Sequence, residues 1–332
     1  MPSLKQLGRA IRNLSKLELG HIDKMGATVD ELSVSMQALE RNHSTISNSI
    51  DALSEMAVAK AVAPTDSVID GKLVFEYTYT PSVRDFKRGP AGARLLGIMD
   101  ERAGLYRDHL AGINELADRL GKIHTYGSPE EVEPYWENGW FESLDGASLY
   151  YFLVKNNPPV YMEVGSGNST KFARKAIKDH GLRTKIVSID PHPRANIDKL
   201  CDKVIRLKCE DVDRDVFATL GRDDILFVDN SHRSFQGSDV TVFFTELLPV
   251  LPKGMLFGIH DIWLPLDYPP YWVGRFYNEQ YLLMSYLYGG MGGGSIELPV
   301  CHVNMNGATE SAIQPELLDR MRLKGGAFWM RR

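Results

Sequence analysis

Between residues 160 and 260 short apolar runs alternate with amphipathic stretches, and this alternation limits the fold more than any other feature of the chain. Runs rich in Val, Ile, Leu and Phe at 160–164, 185–189, 203–207, 224–228 and 255–260 read as strands buried on both faces. Helical patterns at 170–180, 195–200, 212–220 and 239–248 separate them. Repeated strand–helix units leave few topologies, because each crossover must return right-handed onto the same sheet. Two further strands are expected at 295–302 and 327–331. The fold class is therefore α/β, a Rossmann-like, mostly parallel seven-stranded sheet with helices on both faces. In such sheets ligands bind beyond the carboxyl ends of the strands, so chemistry is sought in the residues that follow each one.

Upstream, Ile22, Met25, Val29, Leu32, Met36, Leu39, His43, Ile46, Ile50, Leu53 and Ala57 recur at alternating steps of three and four. An apolar seam of that length predicts an N-terminal coiled coil, and hence a homo-oligomer formed through residues 22–57. The competing reading is a helix lying on its own globular domain. His43 is the one polar seam residue and reads as a register setter. Leu4, Leu7, Ile11 and Leu14 run one residue out of phase, and Gly20 lies between, so a break is expected there. Lys5, Arg9, Arg12 and Lys16 also admit a transit peptide or a basic membrane-surface helix. Pro64 closes this part, which gives a helical oligomerisation segment over 1–63, an accessory cap region over 64–143 and the α/β domain over 144–332. The accessory region reads as a strand at 73–79, a break at Gly89-Pro90, a helix over 91–120 and an aromatic loop from Tyr135 to Phe141. That loop is either a substrate mouth or a cover over the end of the sheet.

Composition narrows the partners. Across 332 residues, 38 Lys and Arg stand against 43 Asp and Glu, a net charge of −5, so no global basic field holds nucleic acid or an anionic membrane. No apolar run reaches the roughly 18 residues a transmembrane helix needs. Cys201, Cys209 and Cys301 match neither a disulfide framework nor a zinc pattern, which points to a reducing, cytoplasmic setting.

The first strand leads into Glu163-Val164-Gly165-Ser166-Gly167-Asn168-Ser169-Thr170 and then directly into a helix. Two glycines permit a tight turn, and Asn168, Ser169 and Thr170 suit a helix start that offers its amides to a ligand. Thr170 stands where a dinucleotide turn has its third glycine, which disfavours a nicotinamide-dependent oxidoreductase. Asp190 follows the second strand, placed to accept hydrogen bonds from ribose hydroxyls. Glu210 and Asp211 follow the third strand, within reach of an adenine amino group. Asp229 follows the fourth in Val228-Asp229-Asn230-Ser231-His232, and His260-Asp261 closes the fifth.

These residues resemble the class I S-adenosylmethionine-dependent methyltransferases, in particular the bacterial small-molecule and sugar O-methyltransferases. The resemblance runs from about residue 144 onward and includes the Leu-Pro-Lys-Gly turn at 251–254 and the stretch Tyr271-Trp272 to Asn278-Glu279-Gln280-Tyr281-Leu282-Leu283. It implies S-adenosylmethionine as cofactor. Glu163, Gly165, Ser166, Gly167, Asn168 and Ser169 would hold its methionine part, Asp190 its ribose, Glu210 or Asp211 its adenine, with Asp229 alongside. Catechol-type members bind magnesium through acids after strands four and five and carry a base three residues beyond the first acid. Asp229, Asp261 and His232 stand at those places. Ile262 departs from the pattern, since those enzymes carry Asn there, and His260 is a substitute ligand or a core histidine. A hydroxyl acceptor needs a base with pKa near neutrality, which favours His232, although the same residue also reads as a helix cap or a brace for Asp229. Tyr268, Trp272 and Arg275 are expected to wall a small-molecule or glycan acceptor. The rival readings are a cofactor-binding assembly subunit without catalysis and the disfavoured oxidoreductase.

Overall fold

The computed structural model describes residues 81–128, 130–193, 196–321 and 324–332, within a compact unit spanning Phe75–Arg332. The expected coiled coil and the strand at 73–79 lie outside the described residues.

Seven strands form one sheet: β1 (Val160–Val164), β2 (Lys185–Ile189), β3 (Lys203–Ile205), β4 (Ile225–Val228), β5 (Leu256–Ile259), β6 (Ser295–Pro299) and β7 (Phe328–Arg331). Their order is β3-β2-β1-β4-β5-β7-β6. β1 to β5 pair in parallel, and only β7 runs against its neighbours, inserted between β5 and β6. The strand order reverses at β1 and β4, which opens a crevice at their carboxyl ends. β4 and β5 are buried at every position, as expected for strands covered on both faces.

Several expected boundaries shift. The single helix expected over 91–120 is three, α1 (Gly89–Asp100), α2 (Ala103–Glu115) and α3 (Ala117–Leu120). The first break comes where Arg102 turns its guanidinium onto the edge strand, with Nη1 donating to Ser295 Oγ, Ile296 O and Glu297 Oε1 at 2.6, 3.0 and 2.8 Å. A helix not marked by periodicity, α4 (Ser143–Asn156), precedes β1 and is buried along all of residues 143–153. The next helix, α5 (Asn168–His180), confirms the one expected after the glycine turn. Between β2 and β3 the described residues hold only a 3₁₀ turn, Asp198–Leu200, in place of the helix at 195–200. After β3, α6 (Arg214–Ala218) is shorter than expected, and α7 (Asp239–Val242) passes into a π-turn over Phe243–Leu247. The strand expected over 295–302 ends at Pro299: Val300 N still bonds to Ala327 O in register, but a helix, Val300–Met305, begins there. A short apolar run reads equally as buried strand or buried helix, and here it is both in turn.

One core joins these layers: Leu95, Tyr106 and Ile113 from the helices before the sheet share a continuous apolar cluster with Phe152, Phe227, Phe257 and Trp329. Gly258 at the middle of β5 shows how tight the packing is. A methyl group there would lie 2.7 Å from the Phe227 ring and 2.9 Å from Trp329. Gly258→Ala is therefore expected to lower stability by about 1–3 kcal/mol through overpacking. Urea unfolding should show a reduced midpoint with an unchanged slope.

Candidate functional site

The glycine turn is built against β4. Gly165 has φ +79°, and a Cβ added to it would stand 1.6 Å from the carbonyl oxygen of Asp229, so only glycine fits. The turn after β1 and the loop after β4 therefore touch. Ser166 N donates to Asp190 Oδ2 at 2.8 Å, and His192 N donates to Asp190 Oδ1 at 2.7 Å. Each carboxylate oxygen thus retains a further acceptor site. Around Gly167 an added Cβ would meet nothing within 4 Å, which leaves open space above the turn. Asn168 at the start of α5 donates to Asn138 Oδ1 at 2.9 Å, so the aromatic loop is clasped to the turn. Within that loop Trp136 is core, Phe141 packs on His260 with centroids 5.0 Å apart, and Trp140 stands exposed. Glu210 is half-buried and Asp211 exposed, both on a 3₁₀ turn just past β3.

Glu163 departs from expectation. Its side chain is sealed beneath α5, accepting from Tyr161 and Ser169 hydroxyls at 3.0 Å each and from Thr170 Oγ1. It shapes the turn from below rather than meeting a ligand directly. Burial raises its pKa to about 7 even though all three hydroxyls favour the charged form.

Past β4 and β5 the structure assembles a buried row of alternating acids and imidazoles. His232 Nε2 lies 3.3 Å from Asp229 Oδ1 and 3.3 Å from Asp261 Oδ2, while Nδ1 lies 2.9 Å from Glu279 Oε2. His260 Nδ1 lies 3.3 Å from the same Asp229 oxygen, and Nε2 lies 3.1 Å from Asp145 Oδ2. Asp145, at the start of α4, also accepts from Gly326 N and Ala327 N. Glu279 opens the helix α8 (Glu279–Tyr288). Both His232 and Asp261 are held in the left-handed region, at φ +57° and +55°, where non-glycine residues are uncommon.

Electrostatics follow the geometry. Burial disfavours charge on both histidines, yet Asp261, Asp229 and Glu279 lift His232 well above the usual imidazole range, and Asp229, Asp261 and Asp145 do the same for His260. Burial also opposes ionisation of Asp229, but His260 and His232 hold it well below the usual carboxylate range. For Asp261 and Glu279 burial wins and their pKa values rise.

Exposure sorts the roles. The Asp229 and Asp261 side chains retain 28% and 16% of their surface, whereas His232 retains 4%, so the two acids face the crevice and the histidine stands behind them. The expected base is thus withdrawn from the open surface with both nitrogens turned to carboxylates. Among the described residues no group of three or more His, Cys, Asp or Glu is arranged to hold a metal ion, so a magnesium ion here would rest on the Asp229 and Asp261 pair alone. His260 proves to be a buried histidine tied to Asp145 rather than a ligand in waiting.

Beside this row lies a cavity of about 280 Å³ lined by Phe235, Tyr268, Trp272, Phe276, Tyr277 and Tyr281 among others. Tyr277 joins the two, its ring 4.8 Å from that of His232. The buried indole Nε1 atoms of Trp272 and neighbouring Trp263 have no hydrogen-bond acceptor. Arg275 stacks on Trp272 at 4.3 Å, supporting the aromatic wall without lining the cavity. Asp145, Glu279 and Tyr277 escaped the sequence reading. Glu279 stood within a recognised stretch but carried no role, and Asp145 lies more than a hundred residues before its histidine, with nothing local to link them.

Residues 162–262 match a family described as "Methyltransferase domain". That stretch runs from β1 to just past Asp261. No curated protein matches the chain in sequence. Among solved structures, the SAH-bound Podospora anserina methyltransferase PaMTH1 is similar at 13% identity and TM-score 0.36, over 72% of this chain and 94% of that one. Among the described residues no helix is long and apolar enough to cross a membrane.

Glu163 makes the site's pH dependence testable. Its pKa rises on folding from the ordinary 4.5 to about 7, so the folded state keeps a proton that the unfolded chain has released. Stability should fall as pH rises between those values, by about 3 kcal/mol in total. Urea unfolding across that range should show this slope in the wild type and a flatter one in Glu163→Gln.

Proposed function

We propose that this chain is an S-adenosylmethionine-dependent methyltransferase that methylates a hydroxyl of a small molecule or sugar. The observation that carries the reading is the direct contact between the glycine turn at Gly165 and the backbone of Asp229, which sets a cofactor cradle against the acid pair facing the crevice. When bound, the cofactor supplies a methyl group on a positively charged sulfur. Asp190 keeps acceptor sites for ribose hydroxyls, and the turn from Gly165 to Ser169, with open space at Gly167, receives the methionine part. Glu210 and Asp211, just past β3, would meet the adenine, and the Asp229 carboxylate would complement the cofactor's positive charge.

The aromatic cavity, with Trp272, Tyr268 and Tyr277 in its lining, would hold part of the acceptor, whose hydroxyl has to extend beyond that lining to reach Asp261. The aromatic lining suits stacking against a sugar ring or another small ring. Asp261, with a side chain that keeps some exposed surface, would accept the acceptor's hydroxyl proton, while His232 orients both acids from behind. Residues 22–57 bring copies of the chain together in the cytoplasm.

Calorimetric titration with S-adenosylhomocysteine tests the cofactor assignment: micromolar binding is expected in the wild type, weakened at least about tenfold in Asp190→Ala, a loss of about 1.4 kcal/mol or more. No binding by the wild type overturns it. Asp261→Asn should bind S-adenosylhomocysteine normally yet transfer deuterated methyl groups to a sugar and small-molecule pool about 10²–10⁴-fold more slowly. Trp272→Ala should raise KM for the acceptor while leaving cofactor binding intact.

A further inference from the structure

The geometry points to His232 as a fixed organic cross-link standing where a divalent ion would join Asp229 and Asp261, so that this acid pair is set for its acceptor without metal. It relies on the proposed function only for what the acids meet, because the cross-link itself is read from the chain. A bound Mg²⁺ would need carboxylate oxygens about 2.0–2.1 Å from one shared centre. Here the point shared by Asp229 Oδ1 and Asp261 Oδ2 is a ring nitrogen, His232 Nε2, 3.3 Å from each. Nε2 faces two carboxylate oxygens, and Nδ1 is hydrogen-bonded to a third, that of Glu279, at 2.9 Å.

The ring has no room to withdraw. Glu279, itself fully buried, holds Nδ1 at 2.9 Å, and Tyr277 packs on one face. The backbone is clamped as firmly. Asn230 Oδ1 accepts from His232 N at 2.9 Å, and the His232 carbonyl accepts from Asn278 N and Glu279 N at 2.9 and 3.3 Å. These contacts over-determine the left-handed backbone that points the ring between the two acids. His260, from the far side, reaches the same Asp229 oxygen at 3.3 Å, so that oxygen already faces two ring nitrogens. A third positive partner would have to displace one of them.

The test uses Mn²⁺ as probe on the full chain, followed by electron paramagnetic resonance. Wild-type protein is expected to bind no Mn²⁺ at this site and to keep its melting temperature in EDTA or excess Mg²⁺. His232→Asn should behave differently, because asparagine tolerates a positive φ while its amide is too short to bridge the acids. This variant should gain a Mn²⁺ site, and His232→Asn/Asp261→Asn should lose it again. Wild-type Mn²⁺ binding that disappears in Asp261→Asn would overturn the inference. So would a folded His232→Asn, verified by circular dichroism, that takes up no Mn²⁺. Failure of S-adenosylhomocysteine to bind the wild type would strike the methyltransferase proposal alone, since none of the Mn²⁺ measurements involves the cofactor.

Discussion

Asp145 is the interaction on which the site hangs. Its carboxylate has no exposed surface and accepts from the His260 ring and from the backbone of Gly326 and Ala327. A buried carboxylate is tolerable only when its oxygens are satisfied, and here the three donors come from the end of β5 and the approach to β7. The start of α4, the fifth strand and the antiparallel insertion are thereby locked into one arrangement. His260 is aimed at Asp229 because its other nitrogen is fixed by Asp145.

From that anchor the row continues through Asp229 and Asp261 to His232 and Glu279, four acids and two imidazoles in mutual contact. Such a cluster does little for net stability, because desolvating its charges cancels most of their attraction. What it provides is geometry. The acids that face the crevice are held from behind by rings that are themselves held, and two residues keep left-handed backbones to complete the arrangement. Strain of this kind persists where surrounding contacts over-determine it, as they do at the ends of β4 and β5.

The sheet was legible because strands buried on both faces announce themselves as continuous apolar runs, and β1, β2, β4 and β5 lie within a residue or so of where those runs fall. The helix α4 was not, since a segment buried on all sides shows no amphipathic period to read. The same contrast holds in the site. Asp190, Asp229, His232 and Asp261 follow strands and could be found by position alone. Their roles could not, because whether a histidine faces the crevice or stands behind two acids depends on Glu279 and Tyr277, which reach it from a different part of the chain. Asp145 and His260 meet across 115 residues, a pairing with no local signature.

The antiparallel insertion has a consequence for biogenesis. β7 enters the sheet between β5 and β6, and the backbone just before it supplies two of the three donors that quench Asp145. On the ribosome, the glycine turn and all five parallel strands emerge well before residues 326–331. Until those residues are made, Asp145 lacks two of its three donors, and the support it gives His260 is incomplete. The last two donors to that acid thus come with a single antiparallel strand.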